Sequence, residues 1–448
     1  MVGGGLGGLL VARGLRAAGH EVTVVEASDR LGGQIHTVDF CGLPADTGAE
    51  AMFLGAPGMA DLIDDLGLTD ELVGPRAGAS WLARGRRLIR LPEGVGPTGP
   101  TQIKPVLHSG LLGPFALARA AMEPLRAKPI TEDLSVGDFV SRRFGRRVTD
   151  VFVDPLLGNL HAGDINRLSL HATAAQLRPV AVEGRSILKN AAARPPRPSD
   201  APPLFASFPQ GLQRLIDALS DDLRARGVQI FTNTRVTALE RLSTNHQPWR
   251  VHATSGTQRA DHIALTAGMA TTVDLLRPHL PAAADLLSQT LTATVASVLL
   301  AYPRDAVTEP MADANGILLN STSGRMMKAA TFLSRKWEHL DDDEVFVVRA
   351  SAGRARSDVL DLVEDRQLVQ RLHAELADLV QVRARPVAST VTRWPHSYPQ
   401  LEVGHLARMT ELRSLLSGSG LVVGGHAIDG LGLPSVLRSA RSVVADLS

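Results

Sequence analysis

Three of the five glycines in the first eight residues have the spacing of a turn that can bind a phosphate group. Gly3, Gly5 and Gly8 form a Gly-x-Gly-x-x-Gly run, and the later segment "HEVTVVEA" predicts a strand that ends at Glu26. In a βαβ nucleotide-binding unit, such glycines let the backbone approach a pyrophosphate at a helix N-terminus, and the acid accepts hydrogen bonds from ribose hydroxyls. The glycines alone are weak evidence, but helix, strand and acid together predict a nucleotide-binding turn.

The remaining titratable side chains form no recognisable catalytic cluster in the sequence. No group of His, Asp and Glu has the spacing of a metal site, so we predict no bound metal and interpret the histidines as structural. Arg349 lies in a predicted strand and could pair with a substrate carboxylate or with a neighbouring acid. Lys328 is a further candidate for a substrate contact. The histidines that invite a catalytic role are His161, His396, His405 and His426.

Composition limits the classes of protein to which the chain can belong. Its 448 residues exceed what one simple core holds, so we expect two or three domains. A net charge of +1 offers no bulk attraction to nucleic acid or to an anionic membrane. No apolar run reaches the roughly 18 residues that suggest a spanning helix. The single cysteine, Cys41, excludes a disulfide framework and favours a cytoplasmic location.

Apolar periodicity predicts the elements that would position these residues. A helix follows the glycines and ends at Gly19, and the segment "VQIFTNTRVTALE" predicts a pair of strands. The chain closes with a strand, "GLVVGG", and a helix, "SVLRSARSVVADL". Between these, we predict a mostly helical region at 105–190, a Pro-rich connection at 191–203, strands at 289–302, 327–333 and 344–351, and an amphipathic helix at 365–380.

Very little chain precedes the glycines. A strand of about five apolar residues normally leads into such a turn, whereas here only Met1 and Val2 stand before it. We therefore expect the first strand to be truncated. The hypothesis is that the natural product starts upstream and that Met1 is an internal or misassigned start.

Several segments, in chain order, resemble the flavin-containing amine oxidase superfamily and, within it, the porphyrinogen oxidases. In "VVEASDRLGGQIHT" the acid is followed by an arginine and a glycine doublet, as in that superfamily; these are Glu26, Arg30, Gly32 and Gly33. The other similar segments are "DTGAEAMF", "VDPLLGNLHAGDINRLSL", "FPQGLQRLIDAL", "TRVTALE", "FLSRKW", "RWPHSYPQLEVGH" and "GGHAIDGLGLPSV". The resemblance covers nearly the whole chain.

The resemblance implies an α/β fold with a Rossmann-like FAD-binding domain of the GR2 type, a mixed-sheet substrate domain and an inserted helical domain. The implied FAD-binding domain is discontinuous and takes residues 1–80, 204–268 and 418–448. The substrate domain takes 81–95 and 269–417, and the helical domain takes 96–203. The implied FAD-binding residues are Gly3, Gly5, Leu6, Gly7, Gly8, Glu26, Ala27, Arg30, Gly32, Gly33, Gly48, Ala49, Glu50, Val236, Trp394, Gly425, Gly432, Leu433 and Pro434.

The activity that the resemblance implies is FAD-dependent oxidation of coproporphyrinogen III to coproporphyrin III in haem biosynthesis. Six electrons pass to O2, hydrogen peroxide is released, and no catalytic side chain is needed. The implied partners are the porphyrinogen, O2 and a haem-pathway enzyme that receives the product in a transient hand-over, with at most peripheral membrane contact. The alternatives are a protoporphyrinogen IX oxidase, another flavin amine oxidase or desaturase, and a weakly active porphyrin-binding flavoprotein.

The chain departs from the family pattern at a few positions. Asn159 and His161 replace a glycine and a tyrosine in the porphyrinogen-oxidase signature, Leu401 replaces a tyrosine, and Ile428 replaces an aromatic residue. The segment "FLGAPGM" lacks the basic pair that often follows the Ala-Glu segment. The residues that would hold substrate carboxylates are therefore not indicated by this resemblance.

Overall fold

Strands and helices are mixed along the chain, which is described by a computed structural model for residues 1–193, 203–244, 246–307 and 311–447. The predicted Pro-rich connection lies mostly outside these residues. The strands are β1 (Thr23–Val25), β2 (Thr37–Phe40), β3 (Leu43–Asp46), β4 (Met52–Phe53), β5 (Ala79–Arg84), β6 (Arg87–Arg90), β7 (Val95–Gly96), β8 (Gly99–Pro100), β9 (Phe205–Ala206), β10 (Gln229–Phe231), β11 (Val236–Arg241), β12 (Trp249–Ala253), β13 (Gly256–Ala260), β14 (Ile263–Leu265), β15 (Thr292–Pro303), β16 (Ala314–Leu319), β17 (Met327–Phe332), β18 (Val345–Ala352), β19 (Ala388–Pro399) and β20 (Leu421–Val423). The α-helices are α1 (Leu6–Ala17), α2 (Met59–Asp65), α3 (Lys104–His108), α4 (Pro114–Ala121), α5 (Val136–Phe144), α6 (Arg146–Val148), α7 (Asn159–His161), α8 (Leu170–Thr173), α9 (Arg178–Val182), α10 (Ile187–Ala192), α11 (Gln213–Ala225), α12 (Met269–Leu276), α13 (Pro281–Ser288), α14 (Leu333–Lys336), α15 (Val359–Leu362), α16 (Asp365–Val380), α17 (His405–Leu416), α18 (His426–Asp429) and α19 (Leu433–Leu447).

A small parallel sheet lies behind the glycine turn, as the βαβ pattern predicts. β1 pairs with β10 and β14 pairs with β20, both in parallel. Val2 bridges the two pairs, because it makes parallel bridges to Val25 on one side and to Leu265 on the other. The two residues before the glycines thus occupy the centre of the sheet. The segment predicted as a strand pair does form two strands, β10 and β11. They do not pair with each other: β10 pairs with β1, and β11 pairs with β12 in a different sheet.

Apolar side chains cover both faces of this sheet. Helices α1, α11 and α19 bring Leu9, Leu219 and Val443 into one buried cluster. Helices α12, α13 and α17 contribute Leu276, Leu287 and other side chains to a second cluster, which also contains Val2. Burial of one such aliphatic side chain contributes about 1.5–3 kcal/mol, so the helices hold the sheet and its turn firmly.

A seven-stranded mixed sheet forms the next layer, in the order β19-β15-β18-β17-β16-β5-β6. Its neighbours are antiparallel except for β16 and β5, which run in parallel. The strands predicted at 289–302, 327–333 and 344–351 are confirmed as β15, β17 and β18 within a few residues. Helix α16 has the predicted bounds and packs Leu368, Leu372 and Leu376 against this sheet.

Short helices form the third layer, over the other face of the mixed sheet. Their core includes Phe139, Phe144 and Phe152. A π-helical stretch, Thr149–Gly158, contains Pro155, whose missing N–H suits a widened turn. Among the described residues, no helix is long and apolar enough to cross a bilayer. The domain boundaries given above stay a prediction.

Candidate active site

The glycine turn is a tight cradle in which larger residues would clash. A Cβ placed on Gly8 would lie 2.0 Å from the Gly3 carbonyl oxygen, and Gly3 itself has a φ of 106°. Helix α1 starts at once, with Gly5 as its N-cap, and no side chain of the described residues caps its first N–H groups. Those free N–H groups and the helix dipole favour an anion at this point.

Glu26 stands beside this turn, as the sequence predicts. Its Oε2 accepts the N–H of Gly4 at 2.7 Å, and its Oε1 accepts the N–H of Ser28 at 2.8 Å. Ala27 is exposed next to it. The Thr234 N–H donates to the Glu26 carbonyl oxygen at 2.8 Å, which brings the start of β11, at Val236, to the same side. The carboxylate is thus fixed at the end of β1, where a ribose is expected.

The glycine doublet packs directly onto the turn. The Gly32 N–H donates to the Gly4 carbonyl oxygen at 2.9 Å, and a Cβ on Gly33 would lie 3.2 Å from the Gly5 Cα. Arg30 stabilises this loop, because its guanidinium donates to the carbonyl oxygens of Leu31, Gly33 and Ile35 at 2.7–3.3 Å. Its expected pairing with a pyrophosphate stays a prediction.

The predicted C-terminal residues meet the same turn. A Cβ on Gly7 would lie 3.6 Å from the Gly425 Cα and 3.3 Å from Val436 Cγ1. Gly432, with a φ of 89°, leads into helix α19, whose first two residues are Leu433 and Pro434. Residues from the two ends of the chain, with Leu6 at the start of α1, therefore lie next to one another.

The segment after β3 forms the other part of the predicted site. A Cβ on Gly48 would lie 1.9 Å from the Gln34 carbonyl oxygen and 3.5 Å from Trp394 Cζ2, so Gly48 and Trp394 are in contact range. Trp394 also faces the ring of His36 edge-on, with centroids 6.5 Å apart. Ala49 is partly buried against the cluster that holds α1. The tryptophan and the glycine segment are thus brought together as predicted.

Glu50 lies at the centre of an ion-pair cluster that joins this segment to the mixed sheet. Its side chain is 11% exposed, and its Oε2 is 2.6 Å from Arg349 Nη2. Lys336 also contacts its Oε1. Burial would raise the pKa of Glu50, but the charges of Arg349 and Lys336 outweigh it and hold the pKa below its usual value. Of the two roles open to Arg349, the structure shows the ion pair.

A cavity of about 270 Å³ opens where the three layers meet. Its floor is formed by strands β15 to β19, one wall by Thr47 and Gly48, and the opposite wall by Leu156 and Leu160 of the helical layer. The other lining residues are Asn159, Val295, Ala296, Ser297, Leu318, Lys328, Ala329, Thr331, Arg349, Ser351, Trp394 and Tyr398. Both predicted substrate contacts, Lys328 and Arg349, therefore lie in the cavity beside the predicted cofactor residues.

Asn159 connects two layers at this cavity. Its Nδ2 donates to the carbonyl oxygens of Pro155 and Leu319 at 2.8 Å and of Lys328 at 2.9 Å. Its Oδ1 is buried at the cavity, with no hydrogen-bond partner among the described residues. In the sequence, Asn159 stands out only as the residue that replaces a family glycine. Its role in joining the two layers was not predicted.

The predicted histidines have different surroundings. His405 is fully buried with its Nε2 2.8 Å from the Ile428 carbonyl oxygen, and His426 lies 3.2 Å from Gln34 Nε2. His396 is exposed. Burial lowers the pKa of His161 to about 4, and no carboxylate within ion-pair distance offsets this burial among the described residues.

Acid should destabilise the protein partly through His161. The unfolded chain binds a proton at this residue below pH 6.5, whereas the folded chain does so only near pH 4. As the pH is lowered from 6.5 to 4, the free energy of unfolding should therefore fall by about 1.4 kcal/mol per pH unit. The free energy of unfolding, measured with denaturant at several pH values in this window, should depend less steeply on pH in His161→Gln than in the wild type. The exposed His108→Gln is the control, and equal slopes for His161→Gln and the wild type would contradict the prediction.

The residues of the turn fit FAD. The uncapped N-terminus of α1 suits a diphosphate, the Glu26 carboxylate suits a ribose, and a side chain at Gly8 or Gly48 would fill the cradle. Gly48 and Trp394 line the cavity, so a dinucleotide held along the turn and past Gly48 would extend toward it. A redox cofactor beside a cavity with few titratable groups suits dehydrogenation more than hydrolysis.

Known proteins with similar sequences extend this interpretation. The family model of flavin containing amine oxidoreductases matches residues 6–448. The chain is 32% identical to a coproporphyrinogen III oxidase of Mycobacterium tuberculosis, over 100% of this chain and 96% of the relative. It is 29% identical to the coproporphyrinogen III oxidase of Bacillus subtilis, over 100% and 97%. A crystal structure from Exiguobacterium sp. 255-15 matches with a TM-score of 0.87 at 25% identity, over 100% and 97% of the two chains.

The fold and the site together define an FAD-dependent oxidoreductase. The match over nearly the full length also gives the family: the chain belongs to the flavin-containing amine oxidoreductases.

Proposed function

We propose that this chain oxidises a porphyrinogen, with coproporphyrinogen III as the first candidate and protoporphyrinogen IX as the second. The observation that carries the proposal is the cavity between Gly48 and the helical layer, which combines apolar side chains such as Leu156 and Val295 with two cations on its floor. A hydrophobic macrocycle with carboxylate substituents suits such a cavity. The names of the relatives from two bacteria support the same substrate class.

Within this proposal, the chain contributes orientation and exclusion of water. The titratable side chains of the lining are Lys328, Arg349 and Tyr398, and Arg349 is already paired with Glu50. None is a carboxylate or histidine positioned as a general base, so we assign no proton transfer to the protein. Bound FAD would supply the electron acceptor for dehydrogenation. Apolar walls that fix a macrocycle beside it would account for the protein's part of the rate.

Three finer elements belong to the proposal. O2 would be the final acceptor and hydrogen peroxide the second product. The porphyrin would pass to another enzyme of haem biosynthesis, because a released hydrophobic macrocycle is poorly soluble in water. The reaction would take place in the cytoplasm, since a single free and exposed cysteine, Cys41, suits a reducing compartment.

An amine oxidase is the second candidate, but the cavity argues against it. Such enzymes usually flank the flavin with an aromatic pair. The chain has only two tyrosines. Tyr302 is fully buried in the mixed-sheet core, where its hydroxyl lies 3.0 Å from His373 Nδ1, and Ile428 holds the expected aromatic position. Of the two tyrosines, only Tyr398 reaches the cavity, where the other aromatic lining residue is Trp394, so the structure shows no pair of tyrosines there.

A direct assay tests the proposal. We expect the purified protein to carry flavin and to convert coproporphyrinogen III to a fluorescent porphyrin with release of hydrogen peroxide. Protoporphyrinogen IX and a primary amine, offered separately, provide the comparison. Turnover of the amine alone would refute the proposal, and tight binding of porphyrin without any turnover would support a porphyrin-binding flavoprotein instead.

A further inference from the structure

An irregularity in the mixed sheet directs one lysine into the cavity. The pairing of β17 with β18 shifts register between Met327 and Ala329, so Lys328 is the extra residue of a β-bulge. A bulge changes the direction in which a side chain points. Lys328 is 4% exposed and lines the cavity, and the amide of Asn159 holds its carbonyl oxygen in place.

This lysine has no counter-ion, in contrast to the other cation of the cavity. Arg349 is paired with Glu50, whereas Lys328 makes no ion pair among the described residues; its ammonium lies 5.6 Å from the centre of the Tyr398 ring. A buried ammonium without an acid is costly, which makes it a functional candidate. Burial, and then the charge of Arg354, lower the pKa of Lys328 to about 7.

Arg354 supplies a second unpaired cation. It follows the end of β18, and its Nη1 and Nη2 are buried with no hydrogen-bond partner in the described part of the chain. The charge of Asp154 acts on it, but Asp154 Oδ2 accepts the Ser321 N–H at 2.7 Å. Unsatisfied guanidinium donors in a protein interior call for a ligand that accepts them.

We propose that Lys328 binds one carboxylate of the substrate at the sheet side of the cavity, with Arg354, which is not itself a lining residue, as a second positive charge behind it. This inference rests on the proposed function, since the carboxylate is a propionate of the porphyrinogen. The ammonium of Lys328 supplies the charged donor that meets the carboxylate, and the nearby guanidinium adds positive charge. These two cations thus supply the carboxylate recognition that the segment after Glu50 lacks. A carboxylate held at this point also fixes the orientation of the macrocycle in the cavity.

The arrangement makes substrate binding pH-dependent. A carboxylate beside Lys328 favours the charged ammonium, so binding near or above pH 7 takes up a proton. The charged or titratable groups around Lys328 are Arg354, Arg349 with its partner Glu50, Asp154 and Tyr398. The apparent KM should therefore rise as the pH increases above 7 in the wild type and stay flatter in Lys328→Met.

The test compares Lys328→Met, Arg354→Gln and the exposed control Lys104→Met with the wild type. For coproporphyrinogen III we expect the first two to raise KM by about 10- to 100-fold, as for lost charged hydrogen bonds, with a smaller change in kcat. Lys104→Met should leave both constants unchanged. The melting temperature of unliganded Lys328→Met should rise, because an unpaired buried charge is removed. An unchanged KM in Lys328→Met, with an active wild type, would overturn the inference.

Equilibrium binding of the product separates this inference from the proposed function. Quenching of porphyrin fluorescence is measured with coproporphyrin III and with its tetramethyl ester, which has no free carboxylate. We expect the wild type to prefer the free acid and Lys328→Met to lose that preference. If the wild type shows this preference but turns over no porphyrinogen, the inference stands and the proposed oxidase activity fails. Equal preference in the wild type and Lys328→Met refutes the inference alone.

Discussion

A Gly8→Ala variant is expected to lose bound FAD almost completely. The new Cβ would lie 2.0 Å from the Gly3 carbonyl oxygen and 2.8 Å from Thr266 Oγ1. Neither atom belongs to the end of a long, flexible side chain, so the turn or helix α1 must move. Overpacking of this kind costs about 1–3 kcal/mol, and it displaces the N–H groups that would hold the diphosphate. The visible flavin spectrum of the purified protein measures the loss.

The control for this variant is Gly113→Ala, at the start of helix α4. A Cβ on Gly113 meets no atom within 4 Å, and its φ of −72° is ordinary for alanine. This protein should keep its flavin and its melting temperature. Circular dichroism distinguishes a folded apoprotein from an unfolded chain for Gly8→Ala. A full complement of FAD in that variant would contradict the assignment of this turn.

Replacement of Glu50 by glutamine is expected to destabilise the protein by about 3 kcal/mol or more. The change removes the only carboxylate that the structure shows within ion-pair distance of Arg349 and Lys336, among the described residues. Two nearly buried cations then repel each other in a low-dielectric environment, which costs more than the original pair contributes. The midpoint and slope of urea unfolding give the change in the free energy of unfolding.

The matched control is Glu402→Gln, which breaks a more exposed bidentate pair with Arg356. Exposed pairs contribute about 0–1 kcal/mol, so a small change is expected. The double variant Glu50→Gln/Arg349→Met should recover part of the lost stability, because it removes one of the uncompensated charges. Similar losses in the free energy of unfolding for Glu50→Gln and Glu402→Gln would contradict the prediction that the ion pairs of Glu50 act as buried ones.

The parts of the site that sequence reasoning predicted well depend on local patterns. The glycine turn, the helix after it and Glu26 lie within about one supersecondary unit, and their spacing reflects one geometry. Helix α16 was predicted with its exact bounds, because Leu368, Leu372 and Leu376 repeat every four residues. Helix α5 likewise begins at a local cap, because the Ser135 side chain accepts the Asp138 N–H at 3.0 Å.

The parts that were not predicted depend on contacts between distant segments. The pairing of Arg349 with Glu50 could not be distinguished from a substrate contact, since the sequence does not show which way a strand faces. Lys328 gains its position from a β-bulge, and bulges leave no clear pattern in a single sequence. Asn159 connects the helical layer to β17 through bonds that only the assembled layers create. The parallel pairing of β5 with β16 likewise joins two segments that are far apart in the sequence.

The central position of Val2 affects how the chain can fold. Its neighbours in the sheet are residues 23–25 and 263–265, and the next strand beyond comes from residues 421–423. A ribosome therefore releases the glycine turn well before residues 263–265 and 421–423, and the sheet that holds the turn closes only after those strands have emerged. Such high contact order makes folding slow and leaves apolar strand edges open to aggregation in the meantime. FAD bound to the closed form would draw the nascent population toward the native state by mass action.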